Sequence, residues 1–209
     1  MRTNDEVADR LEELADLLEA QDVEYKPRSY RKAAENVRAA PEPVEALVDG
    51  GLDAVREIEG VGEAIGEKIV EYVETGSIEA LEAEREALPV DMAALTRVEG
   101  VGPKTVGDLY EALGVETLDD LEAAAEAGEI RTVSGFGEVT EQNILENIPF
   151  AREAGERALL GAALPVGEAV RTFLEEQAGV TRTALAGSLR RRRPTVGDVD
   201  VLVATADPE

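Results

Sequence analysis

Apolar residues recur at intervals of three and four through most of the chain. Residues 3–20 place Val7, Leu11, Leu14, Leu17 and Leu18 on one stripe, the pattern of an amphipathic helix. A second helix is expected over 28–40, stopped by Pro41 and Pro43. Short helices are expected near 44–57, 63–75, 77–87, 91–97, 103–113, 117–127, 138–147, 150–161 and 165–178. The period then shortens. Residues 181–187 and 198–204 have the β-branched, alternating character of strands. The expected fold class is mainly α, with helical subdomains followed by the opening of an α/β unit.

One short pattern occurs three times without gaps: IEGVGEAIGEKI at 58–69, VEGVGPKTVGDL at 98–109 and VSGFGEVTEQNI at 133–144. Each copy has apolar, polar, Gly, apolar, Gly, then a helix-compatible run. The two glycines allow a tight turn and close approach by another backbone, and the apolar residue between them pins the turn to the core. The following helix begins with free N–H groups at the positive end of its dipole, an arrangement that suits phosphate. This is the helix-hairpin-helix pattern, which grips nucleic-acid backbone without reading bases. The candidate contacts are Gly60, Val61 and Gly62, then Gly100, Val101, Gly102 and Lys104, then Gly135 and Gly137. The alternative is that each glycine pair only terminates one packed helix before the next.

Charge complicates a nucleic-acid reading. The 209 residues carry 21 basic and 46 acidic groups, a formal net charge of −25. Segments 25–34 and 180–197 nevertheless hold nine of the basic groups and no acid. Lysine is scarce, with only Lys26, Lys32, Lys68 and Lys104, a composition that fits work in concentrated salt. At ~1 M ionic strength the Debye length is about 3 Å, so an acidic exterior would repel a polyanion weakly. Neither cysteine nor histidine is present, which excludes disulfides, catalytic thiols and imidazole bases in this chain. No apolar run is long enough for a membrane span and no secretion signal is evident, so the expected address is the cytoplasm, without membrane partners.

The chemistry-bearing passage is Gly187-Ser188-Leu189-Arg190-Arg191 followed by Gly197-Asp198-Val199-Asp200-Val201. On a strand, Asp198 and Asp200 would share a face about 6.6 Å apart and could hold divalent metal, with Val199, Val201 and Val203 facing the core. A Gly-Ser turn followed by arginines would supply anion binding beside the metals, as a nucleoside triphosphate requires. A lone Asp-x-Asp, by contrast, is commonly a solvent-facing strand edge.

Taken together, GSLRR…GDVDVL resembles the nucleotidyltransferase signature of family X DNA polymerases. KPRSYRKAA, EIEGVGEAIGEKIVEYVETGSI and LTRVEGVGPKTVGDLYEALGVETLDDL resemble that family's lyase-like and DNA-binding subdomains, in family order. IRTVSGFGEVTEQNIL is similar to its bacterial and archaeal branch. The resemblance implies a lyase-like domain over 1–83, a helix-hairpin-helix domain over 84–149 and an incomplete nucleotidyltransferase palm over 150–209. It implies that Asp198 and Asp200 bind Mg2+ or Mn2+, and that Ser188 and Arg191 hold the triphosphate, with Gly187 and Gly197 permitting close approach. It also implies that the carbonyls of Thr96, Val98 and Val101 hold Na+ or K+ against a DNA phosphate. Gapped or nicked DNA and deoxynucleoside triphosphates are the implied partners, gap-filling repair the implied activity, and a monomer the implied state. The family uses a third carboxylate on a later strand. Asp207 and Glu209 follow Asp200 too closely to supply it, so the chain reads as an amino-terminal portion inactive alone as a polymerase. The branch commonly adds a metal-dependent phosphoesterase domain.

Lys68 stands where the second and third repeats have Asp108 and Asn143, so the repeat itself does not require lysine there. Its spacing from Ile65, Ile69 and Tyr72 puts it on the margin of an apolar stripe, where partial desolvation would favour a nucleophilic amine. A lysine snorkelling over apolar surface is the alternative. The resemblance makes Lys68 the family's Schiff-base lysine for removing a 5′-deoxyribose phosphate, with Lys26 and Tyr30 in support. Ala64 and Ala80 stand where the eukaryotic lyases carry phosphate-binding lysines. Three functions therefore compete: polymerase, non-catalytic DNA gap or end binder, and lyase.

Overall fold

A computed structural model describes residues 2–155, 158–177 and 179–205. Asp207 and Glu209 lie outside the described residues. The chain divides into two compact units, residues 1–148 and 149–209.

The first unit is assembled around α1 (Asn4–Ala20). Its start is fixed by a capping box: the Thr3 hydroxyl accepts from the Glu6 N–H at 3.1 Å, and the Glu6 carboxylate accepts from the Thr3 N–H at 2.8 Å. The expected stripe is the buried face, and Ala8 and Ala15 join it at 0% exposure. α2 (Lys26–Ala39) packs there through Tyr30, Ala33, Ala34 and Val37. Because alanine adds little apolar area, the stabilisation rests on Leu11, Leu14 and Leu17, each worth roughly 2 kcal/mol when fully buried.

The region expected as one helix over 44–57 forms two, α3 (Val44–Asp49) and α4 (Leu52–Val55), separated by Gly50 and Gly51, the latter at φ 90°. α5 (Glu63–Thr75) and α6 (Glu79–Ala87) follow, then α7 (Met92–Leu95), α8 (Pro103–Leu113) and α9 (Leu118–Glu126). A 3₁₀ turn (Ile130–Thr132) precedes α10 (Glu138–Gly155), which runs across the division between the units. Residues 1–148 thus pack as one unit across the 83/84 boundary expected from the sequence. α8 packs close on α1 across that boundary. A Cβ at Gly107, within α8, would lie 1.9 Å from the Ala20 carbonyl oxygen at the end of α1.

In the second unit the expectations need correction. The helix expected over 150–161 is instead the end of α10, which continues through Pro149 to Gly155, and a strand, β1 (Ala158–Leu159). α11 (Leu160–Glu175) starts five residues earlier than expected and contains Pro165 in its second turn. Pro165 has no N–H to offer the Gly161 carbonyl, so the helix forgoes one bond there. Residue 178 lies outside the described residues. β2 (Val180–Leu185) pairs antiparallel with β4 (Val201–Thr205), with Leu185 opposite Val201. Between them lie α12 (Gly187–Arg190) and β3 (Thr195–Val196), which pairs with β1. A small core of Ala163, Leu189 and Val196, flanked by Leu160, Leu164 and Leu185, holds this unit. Val199 and Val203 do not enter a core as expected; they are 40% and 42% exposed. Each sheet here has only two strands, so little covers them among the described residues.

Gly107→Ala is expected to destabilise the chain by roughly 3 kcal/mol, since the new methyl group meets backbone that cannot rotate away. Glycine to alanine inside a helix is ordinarily stabilising, so the sign is the test, read from chemical denaturation midpoints.

Candidate functional site

The three repeats fold into three hairpins with one backbone. Gly60, Gly100 and Gly135 take φ of 83°, 88° and 89°, the left-handed region that favours glycine. In each, the residue after that glycine donates its N–H three positions back: Val61 to Ile58 at 3.0 Å, Val101 to Val98 at 2.9 Å and Phe136 to Val133 at 3.1 Å. The second glycine accepts the first bond of the next helix, Gly66 to Gly62, Val106 to Gly102 and Glu141 to Gly137. Val61 and Val101 are buried pins, as expected, whereas Phe136 is half-buried.

The second glycines are unlike the first. Gly62 and Gly102 have φ of −83° and −96° with ψ near 180°, extended backbone that any residue adopts. A Cβ at Gly62, Gly102 or Gly137 would meet nothing within 4 Å. Nothing inside the described chain therefore requires glycine at these three positions. No side chain caps α5 or α8, whereas α1, α7 and α9 are capped by Thr3, Asp91 and Thr117. The turns present bare backbone outward.

Their electrostatics differ. α5 has Glu63 in its first turn and α10 has Glu138 and Glu141. α8 has no acid there and begins Pro103-Lys104-Thr105. Lys104 is ion-paired with Asp22, a contact that raises its pKa.

Two of the four basic residues in segment 25–34 are paired with the chain's own acids. Arg31 bonds Asp16 at 2.6 Å and also pairs with Glu19, while Lys32 bonds Glu59 at 2.7 Å and holds that carboxyl below its usual range. Lys26 is exposed at the start of α2. Tyr30 is 9% exposed and packs in the core, and burial raises its pKa. Lys68 is half-exposed on α5 and donates to the Ala64 carbonyl of its own helix at 3.3 Å.

In the second unit the antiparallel register brings the Gly-Ser turn and the aspartates to one end of the sheet. Just beyond the Leu185–Val201 pair, the Ala186 N–H donates to the Asp200 carbonyl at 2.8 Å. Gly187, at φ 48°, lies against the Asp200 side chain, where a Cβ would be 1.8 Å from the carboxylate oxygen Oδ2. Asp198 and Asp200 precede β4 and do not lie on a strand as expected, because pairing with β2 begins only at Val201. Both are exposed, as are Gly197, Arg191 and the neighbouring arginines; Ser188 is half-buried. Among the described residues no three acidic side chains gather into a metal-holding group.

One further contact was not anticipated from the sequence. Glu141, 2% exposed, accepts from the Arg131 N–H at 3.0 Å and from its Nε at 2.6 Å, tying α10 to the preceding 3₁₀ turn. The corresponding positions in the other hairpins are Gly66 and Val106, and only the glutamate's departure from that pattern could have flagged it.

Residues 2–78 match the family model described as a helix-hairpin-helix domain, and residues 92–148 that of a SAM-like helix-hairpin-helix tandem. These matches and the three hairpins define a helix-hairpin-helix protein. The DNA polymerase/3'-5' exonuclease PolX of Bacillus subtilis (strain 168) is 31% identical over 184 residues, 88% of this chain and 31% of that protein. DNA polymerase lambda of Rattus norvegicus is 26% identical over 201 residues, 96% of this chain and 32% of that protein. DNA polymerase lambda of Arabidopsis thaliana is 27% identical over 186 residues, 86% of this chain and 30% of that protein. The chain is a homologue of the family X DNA polymerases and spans about a third of the length of these curated relatives.

The Arg131 guanidinium holds the Glu141 carboxyl below its ordinary range, against the opposing cost of burial. A carboxyl whose pKa is depressed by folding contributes stability above its unfolded pKa and loses it as pH falls through the folded value. Glu141→Gln is therefore expected to melt at lower temperature than the parent at neutral pH. The gap should close as pH falls below the ordinary glutamate range and Glu141 protonates in the folded state, as followed by circular dichroism.

Proposed function

We propose that this chain binds the sugar-phosphate backbone of gapped or nicked DNA through its hairpins and serves gap-filling synthesis in a family X polymerase. The observation that carries the binding reading is the second glycine of each hairpin. The fold does not require it, so the constraint comes from a molecule outside the chain, and the uncapped turn offers that molecule N–H groups at the positive end of a helix. The second hairpin is the principal grip, because its helix opens without an acid and carries Lys104. The carbonyls of Thr96, Val98 and Val101 lie in its turn and would hold Na+ or K+ beside the phosphate. The Val98 carbonyl already accepts from the Val101 N–H and keeps one lone pair.

Asp198 and Asp200 would hold Mg2+ or Mn2+, and Ser188 and Arg191 the triphosphate of an incoming deoxynucleotide. The metal supplies neutralisation of phosphate charge when bound. The donor set fits a hard cation, and the tight seat of Asp200 against Gly187 explains why a glycine stands there. Two carboxylates are fewer than the three the family uses. Comparison with the relatives supports polymerase chemistry for a longer assembly of which these residues form part.

Gly102→Val is the better test of the grip, since Gly102 has extended backbone and a Cβ there would meet nothing within 4 Å; Gly100→Val would also strain a left-handed turn. Gly102→Val should weaken binding to a fluorescein-labelled gapped duplex roughly tenfold, alike for unrelated base sequences. Unchanged anisotropy titrations would remove this hairpin from the interface. With magnesium and all four deoxynucleotides, the 209-residue chain should not extend a primer. In a longer chain that does, Asp198→Ala or Asp200→Ala should abolish extension while leaving DNA affinity nearly intact.

A further inference from the structure

The tandem over residues 92–148 contains two hairpins offset by 35 residues, so Gly100 corresponds to Gly135, Glu99 to Ser134, Asp108 to Asn143 and Glu111 to Glu146. The structure forms a pair of grooves that exchange when the two hairpins exchange. In one, Glu99 and Gly100 of the second hairpin's turn face Thr140, Asn143, Ile144 and Asn147 of α10, around a volume of about 470 Å³. In the other, Val133 and Ser134 of the third hairpin's turn face Asp108 and Glu111 of α8.

The turns share a backbone, but the linings differ: Asn143 stands in the place of Asp108, and Glu146, the counterpart of Glu111, lies outside the lining of its groove. Thr140, Asn143 and Asn147 are spaced three and four apart and give α10 a neutral, hydrogen-bonding stripe along its groove. Ile144, 1% exposed, floors it. Its only acid is Glu99, exposed on the turn. The image groove has two carboxylates one helical turn apart on its wall. In a chain with 46 acids, a neutral wall beside a phosphate-gripping turn is an uncommon surface.

We infer that the groove between the second hairpin's turn and α10 receives the sugar-phosphate run adjoining the gripped phosphate, with Asn143 as a direct contact, and that Asp108 and Glu111 bar the polyanion from the image groove. This rests on the proposed backbone binding. The Asn143 amide donates to a phosphate or sugar oxygen without carrying charge, so its contribution does not depend on displaced ions. The corresponding carboxylate of Asp108 can only accept.

The test is anisotropy titration of the 209-residue chain against a fluorescein-labelled duplex with a one-nucleotide gap, at several salt concentrations. Asn143→Asp should weaken binding about fivefold at low salt, the scale of one like charge near a phosphate. Asn143→Ala should weaken it by a smaller factor, with the slope of log affinity against log salt unchanged. Gln142→Glu adds the same charge one position around the helix, outside the groove's lining, and should change affinity less than about twofold. Thermal melts check that each variant is folded, and Asn143→Ala decides the matter if Asn143→Asp is not. Equal weakening by Gln142→Glu and Asn143→Asp, or parental affinity for Asn143→Ala, overturns the inference. If Gly102→Val weakens binding while these do not, only the groove assignment falls. If Gly102→Val has no effect, the backbone-binding reading falls with it.

Discussion

With aromatics at 3% of residues, this protein cannot fill its interior with large rings and must bring helices close instead. That constraint governs the first unit. Ala8, Ala15, Ala33 and Ala34 are wholly buried where α1 meets α2, and Gly107 lets α8 touch the last carbonyl of α1. Leucines from α1 then reach several helices at once. The second hairpin is positioned by this arrangement, because α8 is both its second helix and the partner of α1.

The hairpins were legible in the sequence because their glycines are tied to backbone geometry. A Gly-apolar-Gly motif encodes a left-handed turn and a buried pin with little dependence on distant residues, and two of the three pins are buried as expected. The local structure around Asp198 and Asp200 was not legible. Whether Asp198 and Asp200 lie on a strand depends on where pairing with β2 begins, a tertiary fact invisible in the alternation of GDVDVLV. The same holds for β1, whose two residues are strand only through pairing with β3. Pro149 and Pro165 both sit inside helices, where the expected helix boundaries fell beside them. Charge was the least legible property. Composition located basic segments, but Arg31 and Lys32 turn out to face acids from other elements.

The pair between Lys104 and Asp22 has a consequence for how this surface meets a polyanion. If Lys104 leaves Asp22 for a phosphate, one ion pair is exchanged for another. The phosphate gives up a condensed cation and the vacated carboxylate takes one up, so the step adds little to the net number of ions released. A surface built from such exchanges would lose less of its affinity on moving from dilute to concentrated salt than one whose lysines start out unpaired. In the proposed DNA complex such a pair would buffer affinity against ionic strength, with Asp22 holding the place of the phosphate that replaces it.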